Sequence, residues 1–136
     1  MAHFRDMLHE KQQRATPARL AILELLEHAK RPLSVHGIIR GLGQDSMDYT
    51  TVYRTVTLLK NIGLIRQIDF HHNHAHFELA LLGDHHHVVC KKCHTIVDVP
   101  HCNVRRMEKE ALEESGFDAI TEHTLEFFGV CRACAV

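Results

Sequence analysis

The sequence predicts an α+β chain in two parts: a helical part closed by a β-hairpin, then a smaller α+β part stapled by metal. Three observations predict it. Apolar residues recur at helical spacing, each run opened by a capping residue, as far as residue 61. Two runs suited to strands, 64–70 and 75–79, follow directly on the last of those helices. Beyond residue 83, two C-x-x-C pairs bracket what remains. A chain of 136 residues can be one domain or two small ones. Gly83, after the apolar Leu79–Leu82, is the natural boundary and hinge, giving parts 1–83 and 84–136.

The elements follow in order. Residues 3–10 read as a short helix. Thr16-Pro17 opens a second, with Thr as N-cap and Pro in the first turn. Its apolar face is Leu20, Leu23 and Leu26, with Ile22 and Leu25 beside them. Pro32 breaks the chain, and Ser34 caps a third helix bearing Val35, Ile38, Ile39 and Leu42, ended by Gly41 and Gly43. Asp48 caps a fourth, 49–61, with the stripe Val52, Val56 and Leu59 and Gly63 past its end. Three helices and a hairpin of these lengths describe a winged helix-turn-helix, in which the last helix enters the major groove of DNA. The polar face of helix 49–61 carries Tyr49, Thr50, Thr51, Tyr53, Arg54 and Thr57. Those groups suit phosphates, thymine methyls and purine edges, although an ordinary amphipathic helix also has a polar face. Arg14, Arg19, Arg31 and Arg40 add positive charge nearby.

The second part reads as strand 85–90, a turn, strand 95–99, helix 103–115 and strand 119–128. Val104, Met107, Ala111 and Leu112 form the helix's apolar stripe, and Gly116 ends it. A sheet of three strands has open edges, so this part is expected to dimerise.

Charge divides the same way. The whole chain carries −1, residues 1–83 carry +2 and residues 84–136 carry −3. No apolar run is long enough for a bilayer and the N-terminus does not read as an export signal. Five cysteines in such a chain point to the reducing cytoplasm, with thiols on metal rather than in disulfides.

Cys90, Cys93, Cys131 and Cys134 can supply the four thiolates of a closed, tetrahedral, structural zinc site. Lys91, Lys92 and Arg132 lie between them, where they offset the charge of a zinc tetrathiolate. Paired disulfides or redox dithiols are the alternative. Fourteen histidines are many for this length, and they concentrate after residue 70. On a strand at 85–90, His85 and His87 point one way and Asp84 and His86 the other. One strand can thus serve two further metals; an exposed, unliganded strand end is the plainer reading.

Four blocks, by their order and spacing, give a resemblance to a known family over essentially the whole chain. They are Arg14-Ala15-Thr16-Pro17-Ala18-Arg19, Thr51-Val52-Tyr53-Arg54, His85-His86-His87-Val88-Val89-Cys90-Lys91-Lys92-Cys93 and Gly129-Val130-Cys131-Arg132-Ala133-Cys134. The chain resembles the ferric uptake regulator family of bacterial metal-dependent repressors. The resemblance implies a homodimer on a palindromic DNA operator, a four-cysteine zinc and a regulatory metal at the hinge. By position it implies Tyr53 and Arg54 as DNA contacts and Arg14 as a minor-groove residue. It implies Glu78, His85, His87 and Asp98 as regulatory ligands, and Asp84, His86 and His123 as an auxiliary site. Two positions depart from the family. Its usual N-terminal histidine ligand aligns with Pro32, leaving His36 as a substitute. Its auxiliary helix glutamate aligns with Arg105; His101 and Cys102 are near enough to compensate, and Cys102 otherwise reads as a plain helix-start residue.

The regulatory metal stays open at this stage. Glu78, where peroxide-sensing members tend to carry aspartate, resembles the Fe(II)-sensing branch. The histidines at 71, 72, 74 and 76 pull towards zinc or nickel, and manganese suits the same donors. An enzyme is the remote alternative: His76-Phe77-Glu78 with Cys90 and Cys93 echoes a zinc deaminase signature. However, Val89 stands where proline belongs and the second cysteine pair has no place in it.

Overall fold

The structure is a computed structural model that describes residues 2–43, 45–70, 74–82 and 85–135. The chain divides into two compact units, Met1–Gly83 and Asp84–Val136.

The first unit holds α1 (Ala2–Glu10), α2 (Pro17–Ala29), α3 (Val35–Leu42) and α4 (Tyr49–Asn61). Each later helix starts where a side-chain oxygen takes up an otherwise orphaned backbone N–H. Thr16 accepts from the Arg19 N–H at 3.4 Å, Ser34 from Gly37 at 3.0 Å and Asp48 from Thr51 at 2.8 Å. The Thr51 hydroxyl, and then its N–H, also hold the Asp48 carboxyl below its ordinary range. After α4, Gly63 turns the chain at φ +83°, a backbone that side chains disfavour. Gly41 does not end α3 as expected but lies within it. A Cβ there would fall 2.8 Å from Leu25 Cδ1, so α3 meets α2 across a residue with no side chain.

Strands β2 (Ile65–Ile68) and β3 (His76–Leu79) form the expected hairpin, in register from Ile65↔Leu79 to Ile68↔His76. The ladder is shorter than the runs that suggested it, and residues 71–73 of the turn lie outside the described residues. A third strand, β1 (Leu33–Ser34), pairs with β3 through Leu33↔Phe77, giving the order β1-β3-β2. Two residues beside a proline carry no alternation to read, so nothing local announced it. The core draws on every helix: Phe4 and Leu8 of α1, Ile22 and Leu23 of α2, Ile38 of α3, and Val52, Val56 and Leu59 of α4. Each such side chain contributes roughly 1.5–3 kcal/mol of burial.

The second unit holds β4 (His86–Cys90), β5 (Ile96–Val99), α5 (Arg105–Ser115) and β6 (Glu126–Gly129), with strand order β5-β4-β6. The β4–β5 pair is antiparallel and β4–β6 is parallel, which requires a crossover; α5 lies in it. The expected strand 119–128 shrinks to 126–129. Its register begins at His87↔Glu126, one residue into a five-residue β4, so residues before 125 have no strand opposite them. The helix starts at Arg105 rather than Asn103, and Val104 at its cap makes no side-chain capping bond. Of the expected stripe on α5, Val104 at the cap is buried, but no residue within the helix is, and Met107 is 62% exposed. Among the described residues, the buried apolar side chains of this unit are Val89, Cys90 and Val104. Val97, Val88 and Phe127 stand opposite one another across the three strands and are all exposed.

Candidate metal centres and reading helix

The four cysteines come together. Cys90 ends β4, a turn returns the chain through a His94 N–H donating to the Cys90 carbonyl at 2.9 Å, and Cys131 follows β6. The parallel register Cys90↔Gly129 sets the second pair beside the first, and the Lys91 N–H donates to the Gly129 carbonyl at 2.8 Å. One sulfur from each residue lies within 4.8 Å of the others. The Cys93 and Cys131 sulfurs are 3.7 Å apart, against about 3.8 Å for two thiolates on a tetrahedral zinc with Zn–S near 2.3 Å. All five cysteines of the chain are free thiols, so the disulfide reading is set aside.

The electrostatics agree. The N–H groups of Cys93 and Cys131 point at the Cys90 sulfur, at 3.5 and 3.4 Å, and lower that thiol to about 5. Thr95 lowers Cys93. Cys134 goes the other way, pushed up to about 12 chiefly by the neighbouring Cys131 sulfur. Four sulfurs this close cannot all ionise unaided. A divalent cation removes that conflict, which is the chemistry zinc meets here. Lys92 donates to the Cys134 carbonyl at 3.3 Å, keeping one expected basic residue at the cluster.

The histidine strand alternates as its sequence requires. His87 is buried, and its two register partners are Asp98 on β5 and Glu126 on β6. The three form a rung across the sheet. The His87 Nδ1–H donates to Glu126 Oε2 at 2.9 Å, and the same oxygen accepts from the His87 backbone N–H at 3.0 Å. With Nδ1–H on Glu126, Nε2 is the nitrogen that faces Asp98, 3.5 Å from its Oδ1. A neutral imidazole nitrogen and a carboxylate on one side of a strand are donors that a divalent cation can take up in place of a proton. The His85 ring packs edge-on against His87, with centroids 4.8 Å apart. Glu126 was missed from sequence. It lies 39 residues from His87, and only the parallel register brings it in.

Glu78 belongs to the first unit. It is buried on β3 opposite Arg66, whose Nε and Nη2 both donate to its Oε1 at 2.7 Å. Of the auxiliary set, His86 and His123 come together with ring centroids 5.3 Å apart, while Asp84 lies outside the described residues, as do Gly83, His71 and His72. His123 also meets Cys102, one of the two residues weighed as compensating for Arg105, at 3.3 Å, and Glu108, not singled out from sequence, at 2.9 Å.

On α4 the stripe Val52, Val56 and Leu59 is buried, so Tyr49, Thr51, Tyr53 and Arg54 face outward. The rings of Tyr49 and Tyr53 stack with centroids 6.2 Å apart, and both are about half exposed. His36, weighed as a substitute metal ligand, sets its ring 5.2 Å from Tyr49. Arg14 is exposed. Arg19 is half-buried, donating to the Arg14 carbonyl at 2.8 Å, so it braces the loop that presents Arg14. Among the described residues, no helix is long and apolar enough to cross a membrane.

Similarity to known proteins bears on this arrangement. The description "Ferric uptake regulator family" matches residues 10–128. The chain is 33% identical over 125 residues to the ferric uptake regulation protein of Neisseria meningitidis, covering 89% of this chain and 85% of that one. It is 28% identical over 123 residues to the peroxide-responsive repressor PerR of Staphylococcus aureus, covering 89% and 82%. The ferric uptake regulator of Vibrio cholerae superposes with a TM-score of 0.82 at 24% identity, covering 93% of this chain and 98% of that one. The regulator of Pseudomonas aeruginosa, solved with manganese, gives 0.74 at 27%, covering 94% and 97%.

Proposed function

Because the chain belongs to the ferric uptake regulator family of metal-responsive transcriptional regulators, we propose that it is a cytoplasmic, homodimeric repressor switched by Fe(II). The observation that carries the metal switch is the rung at His87, whose imidazole is held by Glu126 with Nε2 turned towards Asp98. His85, His87 and Asp98 are the ligands we assign in the second unit. Glu78 is added on the resemblance alone, and in ligating it exchanges its partner Arg66. When bound, a divalent ion there supplies a positive centre that these residues can hold in only one arrangement. DNA affinity rises only by the difference in metal affinity between the DNA-competent form and the others.

We assign Cys90, Cys93, Cys131 and Cys134 to a permanent structural zinc, and His86, His123 and Asp84 to an auxiliary metal. The apolar line Val97, Val88 and Phe127 supports a dimer face, since exposed apolar residues in register are the kind of surface a second copy covers. A two-fold dimer reads a palindrome through its two copies of α4. Tyr49, Thr51, Tyr53 and Arg54 contact the duplex in this reading, with Arg14 and Arg19 beside them. The peroxide-responsive relative keeps a second reading in view, an oxidant sensor on the same ligands.

The test titrates the zinc-bound chain separately with Fe(II), Mn(II), Zn(II) and Ni(II) against duplexes selected from a random pool. Fe(II) is expected to raise affinity most, on palindromic sequences. His87→Ala is expected to keep the thiolate-bound zinc and the dimer and to lose the metal response. Equal affinity with and without every metal would remove the switch and leave a constitutive DNA binder.

A further inference from the structure

We infer that Cys102 is a metal ligand, and that with His86 and His123 it forms a second, thiolate-containing zinc site. The inference rests on the reading of His86 and His123 as an auxiliary pair and changes its chemistry. One donor atom from each of the three residues lies within 4.8 Å of the others. The His123 Nδ1–H donates to Glu108 Oε1 at 2.9 Å, which turns its Nε2 lone pair towards Cys102 Sγ at 3.3 Å. About 3.6 Å separates a sulfur and a nitrogen on one tetrahedral zinc, so that pair is already near bonding geometry. Glu108 takes the part of the outer carboxylate that fixes a ligand histidine.

His86 decides between this and a plain thiol–imidazole hydrogen bond. It is 5% exposed, and its Nε2 is buried with no hydrogen-bond partner among the described residues. A hydrogen bond from the Cys102 thiol to His123 would leave that nitrogen orphaned, a costly state for a buried polar atom. A zinc ion satisfies all three donors at once. The thiol proton goes to solvent as the sulfur binds, and the fourth position stays open to water or to a further carboxylate.

The donor set also sets the metal. Two imidazoles and a thiolate are softer than the imidazoles and carboxylates around His87, so this site favours Zn(II) over Mn(II) or Fe(II). Arg105 stands where the family resemblance expects an oxygen ligand, and Cys102, three residues before it, supplies a sulfur instead.

The experiment uses the full chain with zinc in the four-cysteine cluster, so that Cys102 is the one thiol left to alkylate. Zn(II) is expected to slow alkylation of Cys102 by at least about tenfold, of the order lost when a ligand shell is disturbed. Mn(II) is expected to give no such protection, and zinc is expected to give none in His123→Ala. Co(II) added to the zinc-bound chain is expected to give a thiolate-to-cobalt charge-transfer band that disappears in Cys102→Ser, with the cluster zinc retained. The His85–His87 ligands contain no sulfur, so they cannot produce that band. If zinc shifts the His86 and His123 imidazole resonances but leaves Cys102 as reactive as before, the thiolate ligand is overturned and the auxiliary pair stands. If zinc does neither, both fall.

Discussion

The two units of this chain are held together by different means. In the first, helices from four stretches of sequence meet in one apolar core running from Phe4 to Leu79, with fully buried Ile22, Leu23, Ile38, Val52 and Leu59 at its centre. In the second, the buried apolar side chains among the described residues are Val89, Cys90 and Val104, while two of the buried side chains are histidines. Val97, Val88 and Phe127 point outwards, and no residue of α5 is buried. The first unit therefore carries its stability in packing. In the reading proposed above, the second leans on what binds it: metal at the thiols and imidazoles, and a second copy over the exposed sheet face. A fold can be specified by a pattern of apolar residues or by a pattern of ligands, and this chain uses one of each.

Removing zinc is expected to break the comparison most widely. Structural zinc contributes on the order of 10–16 kcal/mol of apparent binding free energy in small zinc-dependent peptides. Stripping it with a chelator, or substituting Cys134→Ser, should unfold the second unit and the dimer while leaving the α1–α4 signals in an NMR spectrum in place. Loss of both units together would show that the first does not stand alone.

The reverse test is Leu23→Ala. A fully buried leucine cut to alanine costs about 2–5 kcal/mol. Denaturant unfolding should show that loss in the first unit, with zinc content unchanged. A smaller effect is expected for Arg54→Ala, about 1–3 kcal/mol of operator affinity with no change in the folded dimer, measured as DNA binding over a salt series. Ser34→Ala should cost about 1 kcal/mol, since it removes the acceptor for the Gly37 N–H at the start of α3.

The first unit was the more legible for the same reason that it has the larger apolar core. Apolar spacing and the caps Thr16, Ser34 and Asp48 are local signals, and all four helices stand close to where they were read. What was missed there, β1, is a two-residue strand whose only cause is its partner β3. In the second unit the cysteine pairs were legible because C-x-x-C is a spacing that lets two sulfurs reach one ion. The strand β6 was overextended, because its limits come from a parallel pairing that no neighbouring residue encodes. Glu126 and Glu108 escaped on the same ground: each serves a histidine distant in sequence and is indistinguishable from a surface acid until the chain is folded.

The smallest expected effect sharpens the contrast from the side of pH. Hydrogen bonds from the Thr51 hydroxyl, and then from its N–H, hold Asp48 below its ordinary 3.8, so the charged cap is favoured in the folded state. Its contribution to α4 is complete above 3.8 and is lost as pH falls through the lower, folded value. The Asp48 carboxyl and the Thr51 amide should titrate together by NMR with a midpoint below 3.8; separate midpoints would deny the cap.

The span from Cys90 to Cys134 has a consequence in time. The last strand of the first unit ends at Leu79, whereas the cluster is not complete until Cys134 has been made. At synthesis rates of about 5–20 residues per second, that interval is roughly 3–10 s, long against the folding of a small helical domain. Every newly made chain thus passes through a period in which its reading helix is built and its four-thiol cluster is not. If α4 reads DNA as proposed, the nascent chain in that period can offer only a single, metal-blind half of the reader.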